Sequence, residues 1–213
     1  MTDTEFSTHP VRGPFNALFF WLTGGLFDQL LGPRKRRLLA DLPDTVVELG
    51  SGVGANLRYL APGSRLIAVE PNPAMHGRLR RAARRRGVLL DVREVPAERT
   101  DLPDESADVV VSSLVLCTVR DVDQVLAEVR RVLRPGGRFV FVEHVAAPDG
   151  TALRRLQRWV RAPWAWCFEG CSCERDLGGA LRSAGFASVE VEDYRLRSPF
   201  LPFNPQIAGV ATA

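Results

Sequence analysis

A glycine-rich turn directly after a short run of strand-forming residues constrains the fold of this chain more than any other feature. Residues 45–49 read T-V-V-E-L, and the turn that follows, G-S-G-V-G, has glycine at positions 50, 52 and 54. Glycine adopts positive φ without a steric cost and lets the backbone come close to a bound molecule. A strand that ends in such a turn is typical of nucleotide-binding α/β proteins.

Strand-like and helical runs alternate through the middle of the chain. After the strand at 45–49, further strands are predicted at 65–69, 88–95, 107–112 and 138–143. A helix is predicted between the last two strands, because apolar residues recur there at helical spacing, namely Val122, Val125, Leu126, Val129 and Leu133. The sequence R-P-G-G at 134–137 ends that helix. The alternation predicts an α/β fold with a doubly wound, mostly parallel sheet.

The two ends of the chain complete this fold. Residues 148–173 are less regular, a helix is predicted at 175–184, and strands near 188–192 and 206–212 bring the sheet to about seven strands. Because no repeat or linker interrupts the sequence, residues 1–213 are predicted to form a single domain. Within it, residues 1–40 form an N-terminal helical cap, or lid, and residues 149–175 form a substrate-cap insert. Residues 15–31 are predicted to be an amphipathic helix pair, too short and too polar to span a membrane.

The charge of the chain favours no anionic partner. Among 213 residues, 28 are lysine or arginine and 25 are aspartate or glutamate, and two basic runs at 34–37 and 78–86 fall where helices are expected. Solvated helix faces explain these runs, so no nucleic acid partner is predicted. No secretory signal is visible, which predicts a cytoplasmic protein. A monomer or homodimer is expected, with at most weak peripheral membrane contact through residues 15–31.

Four cysteines raise the question of a metal site. Three of them form the motif C-x3-C-x-C at 167–173, and Cys117 stands apart in an apolar context. Because no histidine lies near that motif in the sequence to complete a tetrahedral set, no metal is predicted, and the thiols are expected to be reduced.

Two carboxylates bracket the glycine-rich turn. Glu48 lies just before the turn, where it can receive the ammonium of a ligand that carries an amino acid. Glu70 follows the second strand, where it can accept hydrogen bonds from both hydroxyls of a ribose; a simpler role is to cap the next helix. A ligand with an amino-acid group at one end and a nucleoside at the other is S-adenosylmethionine.

The sequence resembles a known family in these regions. The segments E-L-G-S-G-V-G, V-E-P-N-P, S-A-D-V-V-V-S-S-L-V-L-C and L-R-P-G-G-R-F resemble, in order, the motifs of class I S-adenosylmethionine-dependent methyltransferases across residues 45–145. V-L-C-T-V (115–119), E-H-V-A-A-P (143–148), G-C-x-C-x-R (170–175) and P-Q-I-A-G-V-A (205–211) are similar to its thiol S-methyltransferase branch. This resemblance implies a Rossmann-like fold, S-adenosylmethionine as cofactor, S-adenosylhomocysteine as product and a small hydrophobic acceptor, above all a thiol.

The predicted cofactor-binding residues are Glu48, Gly50, Ser51, Gly52, Gly54, Asn56, Glu70, Pro71, Asn72, Met75, Ala97, Glu98, Ser113 and Leu114. Two features depart from the family pattern. Animal members of the branch carry a long N-terminal membrane anchor, whereas this chain has only a short apolar segment there. Pro96 stands where many relatives have an acidic residue that touches the adenine, so adenine recognition is assigned to the backbone of Ala97 and Glu98.

His144 is the predicted catalytic residue. It follows the fifth strand, at the edge of the sheet where ligands bind, and a histidine there can act as a general base or as a hydrogen-bonded part of the pocket wall. His9 and Cys117 are weaker candidates. The acceptor pocket is predicted to contain apolar and aromatic residues from the lid, the fourth strand and the insert, namely Phe19, Trp21, Cys117, Trp166 and Phe168, although ordinary packing explains the aromatic residues equally well.

Three other functions compete with thiol methylation. The same motifs serve enzymes that methylate nitrogen or carbon in lipids, quinones and other small metabolites. A non-catalytic cofactor-binding module is the alternative from another class, and the intact carboxylates and glycines argue against it. An NAD-dependent dehydrogenase would need G-x-G-x-x-G spacing and a catalytic Tyr-Lys or His pair, which the sequence lacks.

Overall fold

Seven strands form one sheet in residues 11–213, the part of the chain that this computed structural model describes. The strands are β1 (Thr45–Leu49), β2 (Arg65–Val69), β3 (Leu89–Arg93), β4 (Ala107–Ser113), β5 (Leu133–His144), β6 (Ser188–Arg195) and β7 (Pro205–Thr212). Their order across the sheet is β3-β2-β1-β4-β5-β7-β6. Strands β1 to β5 pair in parallel, and β7 runs antiparallel between β5 and β6. The predicted doubly wound, mostly parallel sheet is confirmed.

Helices cover both faces of this sheet. They are α1 (Arg12–Leu38), α2 (Pro73–Arg86), α3 (Val122–Val132), α4 (Ala152–Cys167) and α5 (Leu177–Ser183), with short 3-10 helices at Ala55–Tyr59 and Leu201–Phe203. Successive residues of a strand point to opposite faces, so Val47 packs into a core with α3 and α5, whereas Val46 packs into a second core with α2. Both faces are apolar because both are buried, as a parallel sheet requires.

The start of α2 is fixed directly beside the end of β2. Asn72 is the N-cap of the helix, and its side-chain oxygen accepts a hydrogen bond from the Ala74 N–H at 3.0 Å. Pro73 occupies the first turn, where its missing N–H costs nothing. The capped end therefore follows Glu70 after a single intervening residue, Pro71.

The predicted helix pair near the N-terminus is wrong, because α1 is one helix of 27 residues. Gly24 and Gly25 lie in its interior, and each costs about 1 kcal/mol relative to alanine, which weakens a helix without breaking it. Leu31 is fully buried against Val142 and Phe203, so packing on the sheet supports a continuous helix.

The stretch predicted to be irregular between residues 148 and 173 contains α4. Thr151 caps this helix by accepting a hydrogen bond from the Arg154 N–H at 3.1 Å. Its inward face contains Leu156, Gln157 and Val160, and the buried amide of Gln157 is hydrogen-bonded to the backbone at three points. The sequence pattern missed the helix because its inward stripe is short and includes a polar residue.

The R-P-G-G sequence ends α3, as predicted, but its residues belong to β5 rather than to a separate turn. Leu133 pairs with Ala107 and Arg138 pairs with Val109, so five steps along β5 match two along β4 and the intervening residues bulge out. Gly136 has φ of 78° in this bulge, and its N–H donates to the Ala213 carbonyl at 3.0 Å.

Gly209 offers a test of the antiparallel part of the sheet. A methyl group at this position would overlap the Glu190 carbonyl oxygen and lie 2.9 Å from Cζ of Phe141. We expect Gly209→Ala to lower the free energy of unfolding by about 3 kcal/mol, because the neighbouring backbone has no room to move. Urea unfolding measures this effect.

Gly25→Ala is the matched control, since the added methyl group meets nothing within 4 Å apart from its chain neighbours and the backbone of its own helix. It should leave the protein as stable as the wild type or raise its stability by up to about 1 kcal/mol. A Gly209→Ala variant as stable as this control would contradict the observed packing of β7 against β6.

Candidate active site

The glycine-rich turn lies at the carboxyl end of β1. Gly50, Gly52 and Gly54 have φ of 55°, 55° and 90°, a region that other residues rarely adopt. A side chain at Gly50 would also meet Val115, since its Cβ would lie 2.5 Å from Cγ2 of that valine. The turn therefore needs glycine both for its conformation and for its close approach to the loop that follows β4.

Glu70 joins this turn to the start of α2. One carboxylate oxygen accepts a hydrogen bond from the Gly52 N–H at 2.7 Å, and the other accepts one from the Asn72 N–H at 2.9 Å. Burial raises the pKa of the Glu70 carboxyl, and these two bonds oppose that effect. The predicted position of Glu70, beside the glycine-rich turn, agrees with the structure.

Glu48 lies at the end of a buried chain of polar contacts. Its Oε1 accepts a hydrogen bond from the Asn56 amide at 2.6 Å, and Oδ1 of Asn56 accepts one from Nζ of Lys35 at 3.0 Å. Oε2 of Glu48 is buried and has no hydrogen-bond partner within residues 11–213. Burial lowers the pKa of Lys35 to about 8, although the Glu48 carboxylate opposes this effect. The sequence did not indicate Lys35, because it lies in a basic run that resembles a solvated helix face.

The other predicted cofactor residues lie at or after the carboxyl ends of β1 to β4. Ser51, Asn56, Asn72, Met75 and Ala97 are buried, and Pro71 links β2 to α2. The carboxylate of Glu98 accepts a hydrogen bond from the Arg120 N–H at 2.7 Å and so supports the loop after β4. Ser113 ends β4, and Leu114 has φ of 63°, an unusual conformation for leucine that is often found at functional sites.

His144, the predicted catalytic residue, ends β5 and is 1% exposed. Its Nε2 lies 3.0 Å from Sγ of Cys171, and Nδ1 has no hydrogen-bond partner in the described part of the chain. The indole N–H of Trp164 donates to the same sulfur at 3.2 Å. The role of His144 as a general base stays a prediction, and no sequence pattern indicated its contact with Cys171.

A cluster of three potential metal ligands forms around His144. We define the sulfur–histidine cluster as Cys117, His144 and Cys171, whose ligand atoms all lie within 4.8 Å of one another. The three residues are buried. The sequence predicts no metal because no histidine is close to the C-x3-C-x-C motif along the chain. That premise fails in the folded protein, because the fold brings His144 against Cys171, the central cysteine of the motif.

Protonation within the sulfur–histidine cluster departs from ordinary values. A hydrogen bond from the Cys117 thiol lowers the pKa of Cys171 against the effect of burial, and His144 lowers it further. Burial alone would lower the pKa of His144, but the sulfur of Cys171 raises it. The neighbouring Glu143 is fully buried, and its Oε1 accepts hydrogen bonds from the Ser112 hydroxyl at 2.6 Å and the Val115 N–H at 3.1 Å.

The structure brings Phe19 and Phe168 of the predicted acceptor pocket together and leaves Trp21 and Trp166 exposed. The ring of Phe19 lies 5.3 Å from that of Phe168, which in turn lies 4.6 Å from Trp164, and these rings connect α1 with α4. Cys117 belongs to the sulfur–histidine cluster. Trp21 and Trp166 are 58% and 60% exposed, so the structure does not bring them into that group. His9 lies outside the described residues.

A loop after α4 contacts the start of α2. The Asn72 amide donates to Glu169 at 2.7 Å and to the Gly13 carbonyl at 3.3 Å, which links α1, α2 and the loop. Glu169 has φ of 49°, and burial raises its pKa to about 7, with the nearby Glu70 adding to the shift. Local sequence carried no signal for this contact, because Glu169 meets Asn72 only through tertiary packing.

Comparisons with known proteins agree with this geometry. Residues 47–141 match the family model of the methyltransferase domain. The chain is 35% identical to thiol S-methyltransferase TMT1B of Rattus norvegicus, with 84% of this chain and 78% of the relative aligned. It is 32% identical to thiol S-methyltransferase TMT1A of Homo sapiens, with 87% and 81% aligned. It is also 34% identical to the ubiquinone/menaquinone biosynthesis C-methyltransferase UbiE of Acidiphilium cryptum, with 76% and 71% aligned.

Among solved structures, an S-adenosylmethionine-dependent methyltransferase of Thermotoga maritima superposes with a TM-score of 0.64. The two chains are 19% identical, and the superposition covers 94% of this chain and 98% of the other, so it supports the fold. Fold, glycine-rich turn and paired carboxylates define an S-adenosylmethionine-dependent methyltransferase of the Rossmann-like class. More particularly, the chain belongs to the thiol S-methyltransferase family that includes TMT1A and TMT1B.

Glu70→Gln tests the ribose side of the cofactor site. The variant keeps the shape of the side chain and removes its charge, so we expect the Kd for S-adenosylmethionine to rise about tenfold or more, as for a lost hydrogen bond to a charged group. Isothermal titration calorimetry measures the Kd. Glu94→Gln, which changes an exposed residue just beyond β3, is the control. Equal affinity of both variants for S-adenosylmethionine would contradict the predicted contact of Glu70 with the ribose.

Glu169→Gln tests the contact between the loop after α4 and Asn72 through the pH dependence of stability. The folded state raises the pKa of this carboxyl from 4.5 to about 7, so the folded state binds the proton more tightly than the unfolded state. The stability that the protonated carboxyl contributes is present below about pH 4.5 and is lost as the pH rises to about 7. We therefore expect the Tm of Glu169→Gln, relative to that of the wild type, to increase across this range and then to level off.

Thermal unfolding followed by circular dichroism checks this prediction. Glu105→Gln, at an exposed position, should show no such relative gain. If the Tm difference between Glu169→Gln and the wild type is the same at every pH, Glu169 is not held in the buried contact with Asn72.

Proposed function

We propose that this protein methylates the sulfur of a small hydrophobic thiol, with S-adenosylmethionine as the methyl donor. The observation that carries the proposal is the identity of about one residue in three with thiol S-methyltransferases over more than four fifths of the chain. The sulfur–histidine cluster lies at the carboxyl edge of the sheet, on a loop that contacts the glycine-rich turn through Val115, and supports a sulfur acceptor in that place.

The residues of the cofactor site fit the groups of S-adenosylmethionine. The unpartnered Oε2 of Glu48 is suited to accept a hydrogen bond from the ammonium group of the cofactor, and Lys35 supplies a buried cation for its carboxylate. Glu70 is suited to the ribose hydroxyls, and the glycine-rich turn leaves space for the backbone to approach. When bound, the cofactor supplies a methyl group on a sulfonium, which is already a strong electrophile.

The protein then has three tasks: to orient the acceptor, to exclude water and to favour the thiolate form of the acceptor sulfur. The contact between Phe19 and Phe168 provides an apolar cover between α1 and α4, the lid and the cap. His144 is the residue that we assign to activation of the acceptor. Since its Nε2 contacts Cys171, it acts together with that sulfur rather than as an isolated side chain.

A second candidate is methylation of nitrogen or carbon in a quinone or lipid. The similarity to the C-methyltransferase UbiE favours it, as does an exposed apolar stripe on α1 formed by Phe15, Leu18 and Leu22. None of the helices in residues 11–213 combines the length and the apolar composition that crossing a bilayer requires. We assign the protein to the cytoplasm, with the stripe on α1 available for weak contact with a membrane surface.

Release of S-adenosylhomocysteine tests these candidates. Purified protein with S-adenosylmethionine is offered a panel of small thiols, amines, phenols and a quinol, and the product is measured by mass spectrometry. We expect turnover with thiols and none with the other acceptors. Turnover with the quinol or the amines, and none with thiols, would overturn the proposal in favour of the second candidate.

Calorimetry of cofactor binding accompanies this assay. If S-adenosylmethionine binds and no acceptor of the panel reacts, the thiol assignment fails while the cofactor site stands. Glu48→Gln serves as the negative control, because it retains the size of the side chain and removes the charge proposed to bind the ammonium group.

A further inference from the structure

We propose that Cys117, His144 and Cys171 bind a zinc ion that holds the acceptor thiol as its fourth ligand. This inference rests on the proposed thiol methylation for the role of the metal, and on the geometry of the sulfur–histidine cluster for the site itself. The ligand atoms of the three residues lie within 4.8 Å of one another, and the residues are 2%, 1% and 5% exposed, respectively.

The fold brings these side chains together from three separate segments. Cys117 follows β4, His144 ends β5, and Cys171 lies after α4. Sequence proximity does not explain the grouping, and both cysteines are free rather than joined by a disulfide. A buried group of two thiols and an imidazole loses its contact with water, and a bound cation would offset that loss by coordinating all three.

The ligand set indicates zinc and an open coordination position. Two cysteine sulfurs and one histidine nitrogen form a known catalytic type of zinc site, in which the fourth position is left to water or substrate. Zinc–ligand bonds of about 2.0–2.3 Å place tetrahedral ligand atoms about 3.3–3.8 Å apart. The observed separation of 3.0 Å between His144 Nε2 and Cys171 Sγ needs to open by only about half an ångström to fit this range.

Neighbouring groups hold the ligands in place. The indole N–H of Trp164 donates to Cys171, as the outer hydrogen bonds of metal-bound thiolates do. The Ser172 N–H donates to the Cys117 carbonyl at 2.7 Å, which ties two ligand segments together. The guanidinium of Arg175 donates to the carbonyls of Leu116 and Val119 and so fixes the loop that carries Cys117.

The site lies where methyl transfer would take place. Val115, two residues before Cys117, packs directly against Gly50 in the glycine-rich turn. On the other side, Glu169, two residues before Cys171, contacts Asn72 at the start of α2. Both ligand-bearing loops therefore also border the cofactor residues.

The chemistry balances without a separate base. The acceptor thiol binds zinc as a thiolate, and its proton leaves to solvent, because coordination lowers the pKa of a thiol. An electron pair of the thiolate forms the new bond to the methyl carbon. The bond between that carbon and the sulfonium breaks, and its electrons remain on the sulfur of S-adenosylhomocysteine. The thioether product is neutral and a weaker ligand than the thiolate, so it leaves. In this assignment His144 is a ligand and not a proton acceptor.

Metal content tests the site independently of turnover. The full chain, purified without a histidine tag, is exposed to zinc chloride, desalted and measured by mass spectrometry for metal. We expect about one zinc per chain in the wild type, and a loss of at least about tenfold in Cys117→Ser, His144→Asn and Cys171→Ser. Cobalt(II) in place of zinc should give the visible absorption of a tetrahedral thiolate site in the wild type and not in these variants.

Cys167→Ser and Cys173→Ser are the matched controls, because they change cysteines of the same motif that lie outside the cluster. Both should keep the metal and the cobalt spectrum. Trp164→Phe keeps an aromatic ring, although a smaller one, loses the hydrogen bond to Cys171, and should bind zinc about tenfold more weakly. Circular dichroism and calorimetry of S-adenosylmethionine binding establish that each variant is folded.

Three results would overturn the proposal: wild-type protein with no more zinc than Cys171→Ser, equal metal loss in Cys173→Ser, or a Cys117–Cys171 disulfide in protein purified under air. The site and the function fail separately. Thiol methylation by metal-free protein at the rate of the zinc-loaded protein would refute the role of zinc in holding the acceptor and leave the enzyme activity. Stoichiometric zinc with no thiol turnover would support the site and refute the acceptor.

Discussion

Parallel pairing of β1 with β2 and β4 is the constraint on which the rest of the molecule depends. Glu48 pairs with Ala68 on one side and with Val111 on the other, so all three strands end at one edge of the sheet. The chain must then return through a crossover to the opposite edge after each strand, which places the loops after β1, β2 and β4 together at the carboxyl edge. Glu70 and the glycine-rich turn meet there because they terminate neighbouring strands that run in the same direction.

The close approach of Gly50 to Val115 joins the two halves of the site. One half consists of the carboxylates around the glycine-rich turn, and the other consists of the loop after β4 with Cys117. Glu143 stabilises the same loop from β5 by accepting the hydrogen bond from the Val115 N–H. Because the loop packs against a glycine on one side and is held by a buried carboxylate on the other, it connects the glycine-rich turn with the sulfur–histidine cluster.

Sequence reasoning located the residues that end strands and missed those that reach the site from elsewhere. Glu48, Glu70 and His144 could be placed because a strand-forming run precedes each of them and strand ends of a parallel sheet converge. Lys35 and Cys171 could not be placed in the same way. Lys35 lies on α1, and the face that α1 turns toward the sheet depends on the packing of Leu31 against β5. Cys171 follows α4, a helix that local periodicity did not reveal. Tertiary packing, rather than propensity, positions both.

Burial of like charges explains which ligand this site is suited to receive. Glu48, Glu70 and Glu143 are buried, and burial raises the pKa of each carboxyl. Oε2 of Glu48 and Oε2 of Glu143 have no hydrogen-bond partner in residues 11–213, and the facing cation, Lys35, is itself destabilised by burial. A ligand that carries an ammonium group and a sulfonium stays positive overall even with one carboxylate, and it would offset part of the cost of these desolvated acids. S-adenosylmethionine has that charge pattern, whereas its product has lost the sulfonium charge, so the same electrostatics that favour binding of the cofactor also favour release of the product.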